Sequence, residues 1–112
     1  MVEEASVDLT NFRMVTGGDP HIEQHLFTQF IEATRQNLSG LVASQEGMNE
    51  QEWRHHAHAI KGAAYNLGAN ELAELCLRAE KMKADTIQRK QEQLERITHA
   101  FEDVGSFLQT EH

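Results

Sequence analysis

Apolar residues recur along this chain at alternating spacings of three and four, the period of helices that each bury one stripe. In "VDLTNFRMVTGG", Leu9, Phe12 and Val15 form one face of a short first helix, with Asp8 as its cap and Gly17-Gly18 as its stop. The next segment opens on Asp19-Pro20, an N-cap followed by proline at the first helical position. Phe27, Phe30, Ile31, Thr34, Leu38 and Leu41 then keep helical spacing, and Ser39-Gly40 is expected to bend or loosen the end of this helix. After a break at Gly47-Met48-Asn49, Asn49 caps a third helix predicted from about Glu50 to Asn66, ended by Leu67-Gly68. Asn70 is placed as the cap of a fourth helix, with Leu72, Leu75, Cys76, Ala79 and Met82 inward. Asp85-Thr86 introduces a fifth, in which Ile87, Leu94, Ile97, Phe101, Val104 and Leu108 share a face. Short connections imply antiparallel neighbours. The expected fold is therefore all-α: an antiparallel up-down four-helix bundle with a short additional N-terminal helix, forming a single domain over residues 1–112.

Composition narrows the function classes. With 112 residues, 39% hydrophobic and 25% charged, the chain suits one core and is not disordered. A net charge of −8 argues against nucleic acid or an anionic membrane as partner. No apolar run approaches the roughly 18 residues that span a bilayer. Cys76 is the single cysteine, so neither an intrachain disulfide nor a cysteine metal cluster can form. The N-terminal "MVEEASVDLT" lacks the basic and apolar regions of a secretory signal, and a cytoplasmic location is expected. No glycine-rich nucleotide loop is present, which leaves the chain without a means to bind ATP and phosphorylate itself.

The third helix carries the chemistry. "HHAHAIKGAAYNLGANELAELC" crowds three histidines into four positions and then places a glycine inside the helix. A mid-helix glycine costs about 1 kcal/mol relative to alanine. On a helical wheel Trp53, Ala57, Ile60, Ala64 and Leu67 form the core stripe, and His58 lies about 140° from Trp53, facing solvent. Arg54, Lys61 and Tyr65 project from that side. Helical side chains lean toward the N-terminus, so the residue at i+4 tends to cover the one at i. Gly62 stands at i+4 from His58 and leaves the imidazole open to another protein. Lys61, and Arg54 from the preceding turn, bring positive charge to it. An exposed nucleophile beside such charge suits a doubly negative phosphoryl group. Taken singly, an exposed histidine is usually a surface residue and a helical glycine usually a packing device. Their placement on one face is what points to function.

"AHAIKGAAYNLGANEL", residues 57–72, resembles the signature of histidine-containing phosphotransfer (HPt) domains: an accepting histidine, two residues, Lys-Gly, small residues, and Gly-Ala before Leu. His58, Lys61-Gly62 and Gly68-Ala69 match it in turn, and "FTQFIEATRQNLSGL" is similar to the helix that precedes it in the family. Ala59-Ile60 departs mildly from the pair often found there. The resemblance covers most of the chain. It implies a phosphocarrier of a multistep two-component relay, not an enzyme with its own turnover. Such a carrier accepts a phosphoryl group on His58, through Nε2 in the family, from a receiver-domain aspartyl phosphate and passes it to another receiver aspartate. Lys61 would neutralise phosphoryl charge and Gly62 would give access. Arg54, His55, Ala59 and Tyr65 are the expected docking residues. The implied partners are receiver domains of a hybrid histidine kinase, a response regulator, or both, with the receiver supplying the metal and acid cluster. A monomer without cofactor is expected.

The remaining candidates read more plainly. His21 and His25 have the i, i+4 spacing of helical ligands, while His55 and His58 supply two metal ligands at most, with no carboxylate or cysteine nearby to complete a set. No metal site is therefore assigned. His56 is expected at the core boundary with one side packed, and Cys76 as a buried small hydrophobe. The charge run "EKMKADTIQRKQEQLER" reads as a solvated face. Two other classes remain open, a helical adaptor that uses the same face without accepting phosphate and a small metal-binding bundle.

Overall fold

Five helices follow one another in the computed structural model, which describes residues 7–82 and 86–111. They are α1 (Thr10–Thr16), α2 (Pro20–Glu46), α3 (Glu50–Leu67), α4 (Asn70–Lys81) and α5 (Ile87–Glu111). Their boundaries follow local chemistry. The Asp19 carboxylate accepts hydrogen bonds from the His21 and Ile22 amides, with Pro20 where no amide is needed. Asn49 Oδ1 accepts from the Glu52 amide at 3.0 Å. Gly17 and Gly68 end their helices in the left-handed conformation that glycine tolerates best.

Each of the long helices packs on its neighbour in sequence and α5 closes against α2, while α1 lies across α2 and α3. The result is the expected up-down bundle with a short helix added. Trp53, Ala57, Ile60, Ala64 and Leu67 are all buried, as the wheel of the third helix requires. They meet Leu72, Cys76 and Ala79 of α4, Phe27, Phe30 and Leu41 of α2, and Leu94, Ile97, Phe101 and Val104 of α5. Burying each large aliphatic or aromatic side chain contributes roughly 1.5–3 kcal/mol. The Trp53 indole N–H donates to the Ala79 carbonyl at 2.8 Å, which pins the start of α3 to the end of α4. The Lys90 ammonium sits 5.2 Å from the indole ring centroid. Phe12 stacks on Phe27 with centroids 5.4 Å apart and holds α1 down.

Several local expectations are corrected. Val15 does not share the face of Leu9 and Phe12 but is 87% exposed, because two successive steps of three residues turn it about 120° from Leu9 on the helix. Asn70 is the first helical residue of α4, not its cap. Ala69 holds the cap position, where its own amide bonds to the Ala64 carbonyl at 2.8 Å. Leu9 stands at the cap position of α1, yet Asp8 Oδ1 still accepts from the Thr10 amide at 3.0 Å. Of the pair expected to introduce α5, Asp85 lies outside the described residues, and Thr86 Oγ1 accepts from the Arg89 amide. Ile87 is exposed, and its carbonyl accepts from Gln45 Nε2.

Ser39-Gly40 does not interrupt α2, which runs unbroken to Glu46. Gly40 is a packing glycine instead. A methyl group there would strike the His56 imidazole, whose Cδ2 would lie 2.6 Å away. Asn37 Nδ2 donates to the Ala33 carbonyl, which turns Oδ1 toward His56 Nδ1 at 2.9 Å. His56 Nδ1 therefore carries the proton in this contact. The ring is the packed boundary residue that its wheel position predicts, and it closes the seam between α2 and α3.

Candidate functional site

The solvent face of α3 comes together around His58. Its side chain is 66% exposed, projecting from the helix that the Trp53–Leu67 stripe anchors in the core. A Cβ placed on Gly62 meets no atom within 4 Å, so the space one turn beyond the imidazole is open. Ala59 is half-buried, and Arg54 and His55 are exposed. The His55 ring stands edge-on to His56, with centroids 5.2 Å apart. Tyr65 is 45% exposed, and its hydroxyl donates to Glu74 of α4 at 2.8 Å. That hydrogen bond, followed by partial burial, raises the phenol above its ordinary range.

Lys61, expected to bring positive charge to His58, is itself paired. Its side chain is only 19% exposed, and Nζ lies 2.7 Å from Glu80 Oε1 on α4. The other carboxylate oxygen, Oε2, lies 2.9 Å from His58 Nδ1. One carboxylate thus bridges the two residues that matter most on α3. A carboxylate of this kind only accepts, so Nδ1 carries a proton, and in the neutral ring the lone pair stands on Nε2. The Lys61 ammonium first, and the His58 ring after it, hold the Glu80 carboxyl below its usual range against the opposing effect of burial. Glu80 is therefore an anion at neutral pH.

Glu80 is the residue that sequence reasoning missed. It continues the row Leu72, Cys76, Glu80 at i, i+4, i+8 along the edge of the α4 stripe, and a carboxylate at that edge is the signal that could have found it. Cys76, one turn before it, is buried as expected. Burial first, and the nearby Glu80 charge second, push its thiol up to about 12, so it is no nucleophile.

The two flanks of His58 differ in character. Toward α4 lie the charged and polar pairs Lys61–Glu80 and Tyr65–Glu74. Toward α2 and α1 an apolar groove is lined by Phe12, Val15, Leu26, Phe30, Ala63 and Leu67, among others. His58 is not among the residues that line this groove, and its ring stands exposed to solvent, open to a second macromolecule. Among the described residues no group of three or more His, Cys, Asp or Glu side chains is arranged to hold a metal ion, and His21 and His25 lie exposed on α2 away from this site. No helix among the described residues is long and apolar enough to cross a membrane.

Comparison with known proteins agrees with this architecture. The family model described as "Hpt domain" matches residues 25–107. The chain is similar in fold to the crystal structure of histidine-containing phosphotransfer protein B (HptB) from Pseudomonas aeruginosa PAO1. The TM-score is 0.78 at 23% identity, covering 97% of this chain and 96% of that one. No curated protein matches the chain.

Proposed function

Since the chain belongs to the Hpt domain family, and is therefore a phosphotransfer protein of phosphorelays and not a kinase, we propose that His58 is its phosphoryl acceptor. In this reading Nε2 attacks the aspartyl phosphate of one receiver domain, and the phosphoryl group later moves to an aspartate of another. The observation that carries the reading is the orientation of the ring. Nδ1 is engaged by Glu80, Nε2 is left with its lone pair, and the space beside it over Gly62 is open. Lys61 supplies the cation for the phosphoryl oxygens, and the remaining work is positioning and electrostatics, with metal and acid chemistry brought by the receiver. Arg54, His55, Ala59 and Tyr65 ring the acceptor as docking residues. The apolar groove continues that surface toward α1 and α2.

The test is incubation with a phosphorylated receiver domain, followed by scoring of acid-labile, base-stable label. Uptake is expected within the time of complex formation. An adaptor using the same face would bind the receiver and stay unlabelled.

Gly62 separates access from folding. Gly62→Ala should leave stability level or raise it by up to about 1 kcal/mol, because alanine is the better helix former and its methyl group meets open space. Transfer should slow in Gly62→Ala and slow further in Gly62→Gln, whose side chain leans back over His58. Melting temperature and transfer rate, measured on all three proteins, check both halves. Unchanged transfer in both variants would remove the access role.

A further inference from the structure

We propose that Glu80 is the positioning residue that keeps the phosphoryl group of His58 transferable, by holding the proton on Nδ1 and by yielding Lys61 to the phosphoryl oxygens. The inference rests on the phosphocarrier reading of His58 and concerns what happens after uptake. In the uptake step the Nε2 lone pair forms the N–P bond. The P–O bond to the donor aspartate breaks, and its electrons leave with the carboxylate. No proton moves, so the ring becomes a phosphorylated imidazolium that still carries the Nδ1 proton. In the return step an acceptor carboxylate oxygen attacks phosphorus, and the N–P electron pair goes back to Nε2. With Nδ1 protonated the departing group is a neutral imidazole. With Nδ1 deprotonated it would be imidazolate, a far poorer leaving group.

Two distances place Glu80 on both sides of this chemistry. Oε2, 2.9 Å from Nδ1, is a charged acceptor for the proton that must stay. Oε1, 2.7 Å from Lys61 Nζ, holds the cation that the phosphoryl oxygens need. The two oxygens act on different partners, so Glu80 can release Lys61 without releasing His58. Charge decides the direction. The resting His58–Lys61–Glu80 trio is neutral overall, and a phosphoryl group of about −2 on an imidazolium leaves it with about one net negative charge. Glu80 therefore favours departure of the phosphoryl group while keeping the leaving ring protonated. Among the described residues, the charged or titratable groups on the His58 face are Arg54, His55, Lys61 and Tyr65 on α3, and Glu74, Cys76 and Glu80 on α4, with Tyr65 and Glu74 paired to each other. Cys76 stays neutral across the working range, its thiol being pushed up to about 12. Glu80 is thus the anion in direct contact with the ring.

Glu80→Gln tests this, because the amide keeps the size and one acceptor oxygen but not the charge. Wild type and variant are phosphorylated with phosphoramidate, a small chemical donor that bypasses receiver docking. Transfer to an unphosphorylated receiver domain with Mg²⁺ is then followed from about pH 6 to pH 10, with the Nδ1 proton read by nitrogen NMR. The variant should lose transfer at a pH about one unit lower than wild type, equal to about 1.4 kcal/mol of proton affinity. It should also retain several-fold more phosphoryl group at equilibrium near neutral pH. Superimposable pH profiles, Nδ1 titrations and equilibria would overturn the role of Glu80 while leaving His58 as acceptor. Failure of wild-type His58 to take up label from a receiver would instead overturn the phosphocarrier reading, and this inference with it.

Discussion

His58→Gln should abolish uptake of label from a phosphorylated receiver domain while leaving the fold in place. Glutamine has no nucleophilic ring nitrogen, and no other histidine of this face pairs an open approach with a carboxylate at Nδ1 and a lysine one turn on. The side chain is 66% exposed, and its single described hydrogen bond reaches Glu80. Its loss should therefore change stability by no more than about 1 kcal/mol. Circular dichroism and melting temperature should stay close to wild type. The informative control is His55→Gln, one turn earlier and also exposed. Label retained by His58→Gln and lost by His55→Gln would move the acceptor by a turn.

Gly68→Ala should destabilise the protein by on the order of 2–5 kcal/mol, the combined effect of a strained backbone and a blocked contact. Gly68 has φ of +101°, in the left-handed region that a side chain rarely adopts. A methyl group there would also drive into the Asp8 carbonyl, with the carbonyl carbon 2.8 Å away. That carbonyl is held close because the Asp8 amide donates to the Gly68 carbonyl at 2.9 Å and Val7 bridges to Ala69. The start of α1 would be pushed off the α3–α4 turn, and the burial of Leu9 with it. Thermal or urea unfolding of the variant gives the cost directly, and a melting temperature within a degree or two of wild type would contradict it. Label uptake per folded molecule should survive, since His58 sits more than two helical turns away along α3.

These two glycines mark the limit of what can be read along a chain. The helix-ending role of Gly68 was legible because a glycine after the last apolar position is a local signal. Its contact with Asp8 was not, because the two are sixty positions apart. Gly62 was legible as an opening over His58 because both lie on one helix, where spacing alone settles neighbourhood. Gly40 carried the same composition signal and was misread as a weak point, since the reason for it, the His56 ring, comes from the facing helix.

The amino-acid sequence by itself determined the number of helices, the buried stripe of α3, and hence the solvent side on which His58 stands. Those are properties of a 3.6-residue period and of capping groups that act within a few residues. The tertiary structure alone decided that Glu80 meets both His58 and Lys61, that the side chain of Lys61 is largely covered and its ammonium paired, and that Nδ1 is the engaged nitrogen. The rotation and register of α4 against α3 bring that carboxylate to its partners. They are set by how two stripes of side chains interdigitate across the core, and no local spacing encodes them.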